Sequence, residues 1–473
     1  MNTKKSKTDL LLEAIHPIEY MNFERYLVSK LGKSHNIDYF GYWVWKKEEM
    51  RIQHLGQNVE VKPYTHGLTR KFLSDFNKLI EGYFVSVSVD HNEQLRNIYM
   101  VTEMRKRHAY KLFDDYLKEA KEFNKNRVLK GFANNVLSLR ACFEEYMILN
   151  ARNDEDGMAK ITGDICKITE IIFFQNELFQ FINLKLFVGK PFNPLLNVDI
   201  IIRRIEENSS FFEKNHANVY VLYLIASLIK GFDTMADLLK VVKYLNKREK
   251  SFTVGFLKIA YESLFRLALF RTNTGNEDAL RVAFKVFKEM ERKGILKKLP
   301  HIQPLIFFSA INLSFRLEDI EFAEKLISNY SSKLISVPHD KVLLVCMAML
   351  DYEKGKPDEA KEKLLNLKNK NATLCLYSKV TLLKIMYDKN ELRGIMSFAD
   401  SVKHYLLRKE EINEAYRESI FKFFSFVTNL AVAKRKNGRG LMQIRERYNS
   451  EKRLFQRKWV SEKIKELEEI YVR

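Results

Sequence analysis

The chain carries side chains able to do chemistry, but their spacing scatters them. Ten histidines stand singly. His54 and His66 come nearest to a metal pair, twelve residues apart in a stretch that also holds Gly56, Pro63 and Gly67. Neither has a Cys, Asp or Glu at ligand spacing, so they read as ordinary loop histidines. Asp114-Asp115 and Glu144-Glu145 are adjacent carboxylates. On a helix, sequence neighbours point about 100° apart, so neither pair can share a proton or a substrate, and both read as solvated. The four cysteines, Cys142, Cys166, Cys346 and Cys375, have no metal-ligand spacing and lie in apolar helical contexts. They read as small hydrophobes in a reducing compartment. No phosphate loop, paired-glycine dinucleotide fingerprint, nucleophile elbow or His-Glu-x-x-His motif occurs. The expectation is a protein with no catalytic residue, no metal and no cofactor.

The elements that would position any site are helices. The chain has 473 residues with only 17 Gly and 8 Pro, while 46% of it is apolar and 34 residues are Phe. An all-β or α/β chain of this length needs more turn residues, and a disordered one has fewer apolar residues. Net charge is +20, from 80 basic and 60 acidic residues. That balance suits nucleic acid or another anionic surface, but it also arises from lysine-rich composition alone. The Leu10–Ile15 stretch is too short and interrupted for a signal peptide. The longest apolar run, Val219–Ile229, is about half of the roughly 20 residues a membrane span requires. A soluble, cytoplasmic protein without a membrane span is expected.

Three regions are expected: 1–128, a helical N-terminal region with an aromatic loop; 129–436, an array of helix pairs; and 437–473, a basic capping helix. In the first, helices are predicted over Asp9–Leu31, with a break at Pro17, then over Arg70–Val87 and Glu93–Asn124. The aromatic Tyr39–Trp45 segment between them reads as irregular and Gln53–Thr69 as loop. Val85–Val89 alternates like a strand, but no second strand lies nearby, so it reads as a helix end. From residue 129, apolar and amphipathic helices alternate, and a final charged helix is predicted over Leu441–Tyr471.

One unit is especially clear. The helix from Val342 ends at Gly355, a Lys-Pro-Asp turn follows, and an amphipathic helix runs on to Leu367. Ala323 and Ala360, 37 residues apart, occupy equivalent small positions, and Gly355 and Asn390, 35 apart, occupy equivalent turns. Both spacings lie near the 34-residue tetratricopeptide period. With Ala348, Gly355, Ala360 and Leu364 on signature positions, the unit resembles a tetratricopeptide repeat, although the signature Trp and Tyr of its first helix are absent. Ala279 to Glu291, followed by Gly294, resembles a pentatricopeptide unit over about one helix. Phe287-Lys-Glu-Met, Lys293-Gly294-Ile-Leu, Phe322-Ala323-Glu324, Tyr352–Ala360, Tyr405-Leu-Leu-Arg408, Phe423-Phe424 and Lys458-Trp459, with the N-terminal Pro17–Phe23, resemble an uncharacterised bacterial helical-repeat, tetratricopeptide-like family. The resemblance implies an all-α fold, a right-handed α-solenoid of about six or seven degenerate helix pairs with a helical N-terminal region, and points to no known activity.

Two surfaces are candidates for partner binding. The first is aromatic: Tyr39, Tyr42, Trp43 and Trp45 form either a docking patch or a pin that holds the N-terminal region in place. The second is basic: residues 434–473 hold 13 Lys/Arg and 6 Asp/Glu, with Lys434, Arg435, Lys436 and Arg439 at its start. It reads as a terminal cap, by the apolar stripe of Trp459, Val460, Ile464 and Leu467, or as a nucleic-acid surface. Helices over Val219–Ile229, Leu305–Leu313 and Val342–Leu350 are apolar nearly all round and demand a cover, for which the 1–128 region is the nearest candidate. The function expected is that of a non-enzymatic scaffold or adaptor binding another protein, the alternative being RNA or DNA binding.

Overall fold

The computed structural model describes residues 6–15, 17–31, 38–44, 69–90, 92–126, 132–188, 198–231, 234–272, 277–334, 339–365, 367, 371–408 and 414–471. These residues are helical, and the only strand-like pairing among them is a single parallel bridge between Ile302 and Leu334. The chain divides into two compact units. One comprises 1–126 with 137–165, the other 127–136 with 166–473.

The first unit opens with α1 (Lys7–Ala14), a 3₁₀ turn at Pro17–Glu19, α2 (Tyr20–Leu31), α3 (38–44) and α4 (Arg70–Asp90). Leu12, Ile15, Phe23, Leu27, Tyr39, Phe40, Phe76 and Ile80 from these helices close into one small core. The aromatic segment is thus helical rather than irregular. Tyr39, Phe40, Trp43 and Val44 fall on one face of two turns, and that face turns into the core. The alternating Val85–Val89 stretch continues α4. Ser86 and Ser88 donate their hydroxyls back to the carbonyls of Tyr83 (2.9 Å) and Phe84 (2.7 Å), which lets the helix absorb them. Next come α5 (Glu93–Lys106), α6 (Tyr110–Asn126), α7 (Phe132–Ala151) and α8 (Glu155–Asn183), the last passing into a π turn at Leu184–Val188. A second core joins Ile98, Val101, Phe113 and Ala120 to Ala141 and Ile148.

The second unit continues with α9 (Val198–Glu207), α10 (Ser209–Asn215), α11 (Ala217–Gly231), α12 (Met235–Lys247), α13 (Val254–Thr272), α14 (Glu277–Arg292), α15 (Ile295–Lys298), α16 (Pro304–Arg316), α17 (Ile320–Tyr330), α18 (His339–Glu353), α19 (Pro357–Leu365), α20 (Ala372–Asp388), α21 (Leu392–Leu407), α22 (Glu414–Arg435), α23 (Leu441–Ser450) and α24 (Arg457–Tyr471). One continuous core runs from Ile171 to Leu467. From α16 onward contacts follow a rule. Each odd step packs within a pair (α16 with α17, α18 with α19, α20 with α21), and each first helix also packs on the next first helix (α16 on α18, α18 on α20). Ala323 and Ala360 sit fully buried on the second helices, where lack of a larger side chain lets paired helices approach.

One turn recurs. His108, Asn153, Glu318, Gly355 and Asn390 each follow a helix with φ between 52° and 75°. The residue after each donates its N–H back across the turn: Ala109 to Met104 (3.0 Å), Asp154 to Leu149 (3.0 Å), Asp319 to Ser314 (2.9 Å), Lys356 to Asp351 (2.8 Å) and Glu391 to Met386 (2.8 Å). This closes the helix in a Schellman motif, and the next helix begins one residue later. Asp154 and Asp319 then cap the new helix by accepting from Gly157 N–H (2.9 Å) and Phe322 N–H (3.1 Å).

The predicted single helix over Leu441–Tyr471 is interrupted. Glu451 is extended, Gln456 takes φ 51°, and α24 folds back on α23. Arg445 closes the hairpin on Glu468, its Nε donating to Oε1 at 2.7 Å.

The recurring turn yields a test in which one substitution has opposite effects at two sites. Gly355 has φ 75° and open space around a built Cβ, so Gly355→Ala pays only the backbone cost and should destabilise by about 1–2 kcal/mol. Gly163 lies inside α8, also with open space, so Gly163→Ala should stabilise by about 1 kcal/mol. Urea unfolding midpoints of the two variants should move in opposite directions.

Candidate functional site

A polar cluster of the second unit lies where the α23–α24 hairpin meets the first helices α16, α18, α20 and α22. Trp459 is the anchor. Its ring meets Tyr387 (centroids 5.4 Å apart) and Phe423 (5.9 Å) edge-on, and it is 7% exposed. Its Nε1–H donates to the Tyr352 hydroxyl at 3.0 Å, and Tyr352 donates to Asp388 Oδ2 at 2.6 Å. Asp388 Oδ1 pairs with Lys463 Nζ at 2.9 Å. Three helices are therefore tied through one carboxylate. Burial, reinforced by Asp388, pushes the Tyr352 hydroxyl well above its ordinary pKa, so it stays a donor. Burial opposes the Lys463 cation, but hydrogen bonds to Glu466 and Asp388 outweigh it and hold that amine above its ordinary value.

A second tie lies one turn away. Phe455 packs among Tyr377, Tyr416 and Phe423 with centroids 5.6–5.8 Å apart. Asn312 Nδ2 donates to the Tyr377 hydroxyl (3.0 Å), which meets that of Tyr416 (3.2 Å). Phe455 N–H reaches the Ser419 carbonyl at 3.3 Å. Asn312 sits inside a helix that reads as apolar nearly all round.

Beside α24 opens a cleft of about 830 Å³, walled by α16, α18, α20 and the 449–462 stretch. Lys384 stands in its wall, 7% exposed, its Nζ donating to Gln456 Oε1 at 2.8 Å and lying near the faces of Tyr352 and Trp459. Burial lowers the Lys384 pKa, although Glu353, Asp388 and Glu462 favour its cation. The same cleft is lined by Arg281, Arg316 and Lys452. This arrangement holds charges and hydrogen-bonding groups on rigid helices, as a binding site does. No thiol in it is primed to attack: burial raises Cys346 elsewhere in α18 and drives Cys142 to about 11. Among the described residues no three of His, Cys, Asp and Glu gather where they could hold a metal ion, and no helix is long and apolar enough to cross a membrane.

The sequence-predicted residues fall elsewhere. Tyr39 is 7% exposed, its ring edge-on to Phe72 and Phe76; Tyr42 and Trp43 are half-buried, with Trp43 edge-on to Tyr20 at 6.4 Å. The aromatic cluster is thus largely core to its own helices. Trp45, His54 and His66 lie outside the described residues. Lys434 is half-buried with its Nζ 5.0 Å from the Tyr387 ring centre, whereas Arg435, Lys436 and Arg439 project into solvent around the α22–α23 turn. The stripe of Trp459, Val460, Ile464 and Leu467 is buried as a unit. The C-terminal hairpin packs over part of α18 and α20, where Trp459 meets Tyr352 and Tyr387. Lys384, Tyr352, Asp388 and Arg316 escaped the sequence reading. The available signal was a lysine set inside the apolar run Leu382-Leu383-Lys384-Ile385-Met386.

Trp459→Ala should lower stability by about 3–5 kcal/mol, because it empties a large aromatic site and strands the Tyr352–Asp388 pair. Charge reversal at Arg435 and Arg439, both exposed, should stay within about 0.5 kcal/mol. Thermal unfolding of the two variants side by side checks both.

Comparison with family models, with curated proteins and with solved structures finds no match.

Proposed function

We propose that this protein is a non-enzymatic scaffold or adaptor that binds another protein through the surface of a right-handed, tetratricopeptide-like α-solenoid. Three observations support the repeat reading: first helices pack on successive first helices, the same left-handed turn recurs, and buried alanines recur on the second helices. Such arrays work by presenting aligned helices to a partner. The observation that carries the binding reading is the polar cleft built across α16, α18 and α20, where fixed charges and hydrogen-bonding groups face an open volume without an assembled nucleophile and base.

RNA or DNA remains the second reading, because the chain is basic. The C-terminal cations favour it less than their number suggests. Lys422 pairs with Glu451 and Glu418, Arg445 with Glu468, Lys463 with Asp388, and Lys458 with Glu318. Cations spent on carboxylates release no counterions to a phosphate backbone.

The test is capture of partners by the full-length chain after nuclease digestion, with a photo-crosslinking residue at either Glu353 in the cleft wall or Lys240 on α12. A protein partner should survive nuclease and crosslink from position 353 and not from 240. Capture that vanishes with nuclease, or heparin retention that nucleic acid displaces, would transfer the assignment to nucleic-acid binding.

A further inference from the structure

We propose that the cleft beside α24 is a site for a small organic anion bearing at least two negative charges on oxygen, as a phosphate ester or a polycarboxylate does. Its volume of about 830 Å³ suits a small ligand, whose sites commonly span about 300–1,000 Å³. The α23–α24 hairpin walls one side, so the space is a recess and not an open channel along the helices.

Charge decides the ligand class. Several cations in and near the cleft are paired: Lys458 with Glu318, Lys463 with Asp388, Lys422 with Glu451. Among the described residues, no carboxylate lies within ion-pair distance of Arg281, Arg316 or Lys452, yet all three line the cleft. Arg316 is half-buried at the C-terminal end of α16. An unpaired cation in such a recess costs solvation that an oxyanion would restore, and a guanidinium can grip it through two parallel N–H bonds. The carboxylates of the same cleft are already engaged: Glu353 and Glu462 face Lys384, with Asp388 close by, while Glu318 pairs with Lys458 and Glu451 with Lys422. An anion is therefore directed to the cations without a carboxylate partner, Arg281, Arg316 and Lys452, with Asn312 and Tyr377 as neutral hydrogen-bonding groups of the same wall.

The experiment is calorimetric titration of the full-length protein with pyrophosphate and, separately, with citrate, alongside the melting temperature in each. Salt at about 0.15 M limits diffuse attraction to the +20 net charge. One-to-one binding of at least one probe is expected. Arg316→Gln and Lys452→Gln should each weaken it by about tenfold or more, while the exposed-turn pair Arg435→Gln/Arg439→Gln should leave it unchanged. Lys452 is exposed, so its variant remains informative should Arg316→Gln fold poorly. Binding of pyrophosphate alone assigns a phosphate ester, of citrate alone a polycarboxylate, and of both a doubly charged oxyanion of either kind. Neither heat nor a melting shift with either probe overturns the proposal. So does binding that the cleft variants leave intact, or that the turn pair weakens equally.

Discussion

The carboxylate of Asp388 is the point on which the second unit's interior turns. It accepts from Tyr352 on α18 and pairs with Lys463 on α24 while belonging to α20. It lies near the surface, and its two charge-assisted bonds join side chains of three helices, so Tyr352 and Lys463 hold each other in place through it. Trp459 depends on this arrangement twice, through its hydrogen bond to Tyr352 and through the packing of its ring on Tyr387, the residue before Asp388. The cleft walls follow from the same constraint, since Lys384 lies one turn before Asp388 and Gln456 stands seven residues before Lys463, which Asp388 secures.

The sequence made the helices legible because 3.6-residue periodicity and scarce glycine and proline survive any tertiary arrangement. Ala323, Ala360, Gly355 and Asn390 also announced their roles, since small size and tolerance of positive φ are properties of the residue itself. Glu318 and His108 occupy the same turn without such a signature, and there the hydrogen bonds of the closing helix override local preference. The break at Gln456 was hidden for a similar reason. Arg457 and its neighbours suit a helix on either side, and the reversal is imposed by packing of α24 on α22 and α23. The aromatic segment at 38–44 was misjudged because two helical turns with a glycine at 41 offer too little periodicity to read.

The candidate site was harder to read than the fold. Lys384, Tyr352 and Asp388 are polar residues of unremarkable type in helices whose apolar content dominates any window. Their partners lie far along the chain: Gln456 is 72 residues from Lys384 and Trp459 is 107 from Tyr352. Nothing local marks such pairs. The basic C-terminal run drew the eye for its charge, yet many of its cations serve the hairpin that carries them.

That separation of 107 residues has a consequence for how the molecule is made. A ribosome adds about 5–20 residues per second, so Tyr352 emerges roughly 5–20 seconds before the indole that completes its bonding. Helix pairs formed in that interval have their neighbours but not their cross-tie, and the face later covered by α24 stays open to water and to chaperones. Arrays whose units touch only adjacent units fold progressively from one end. Here the growing chain must keep a half-finished surface dispersed until a distant segment arrives to close it.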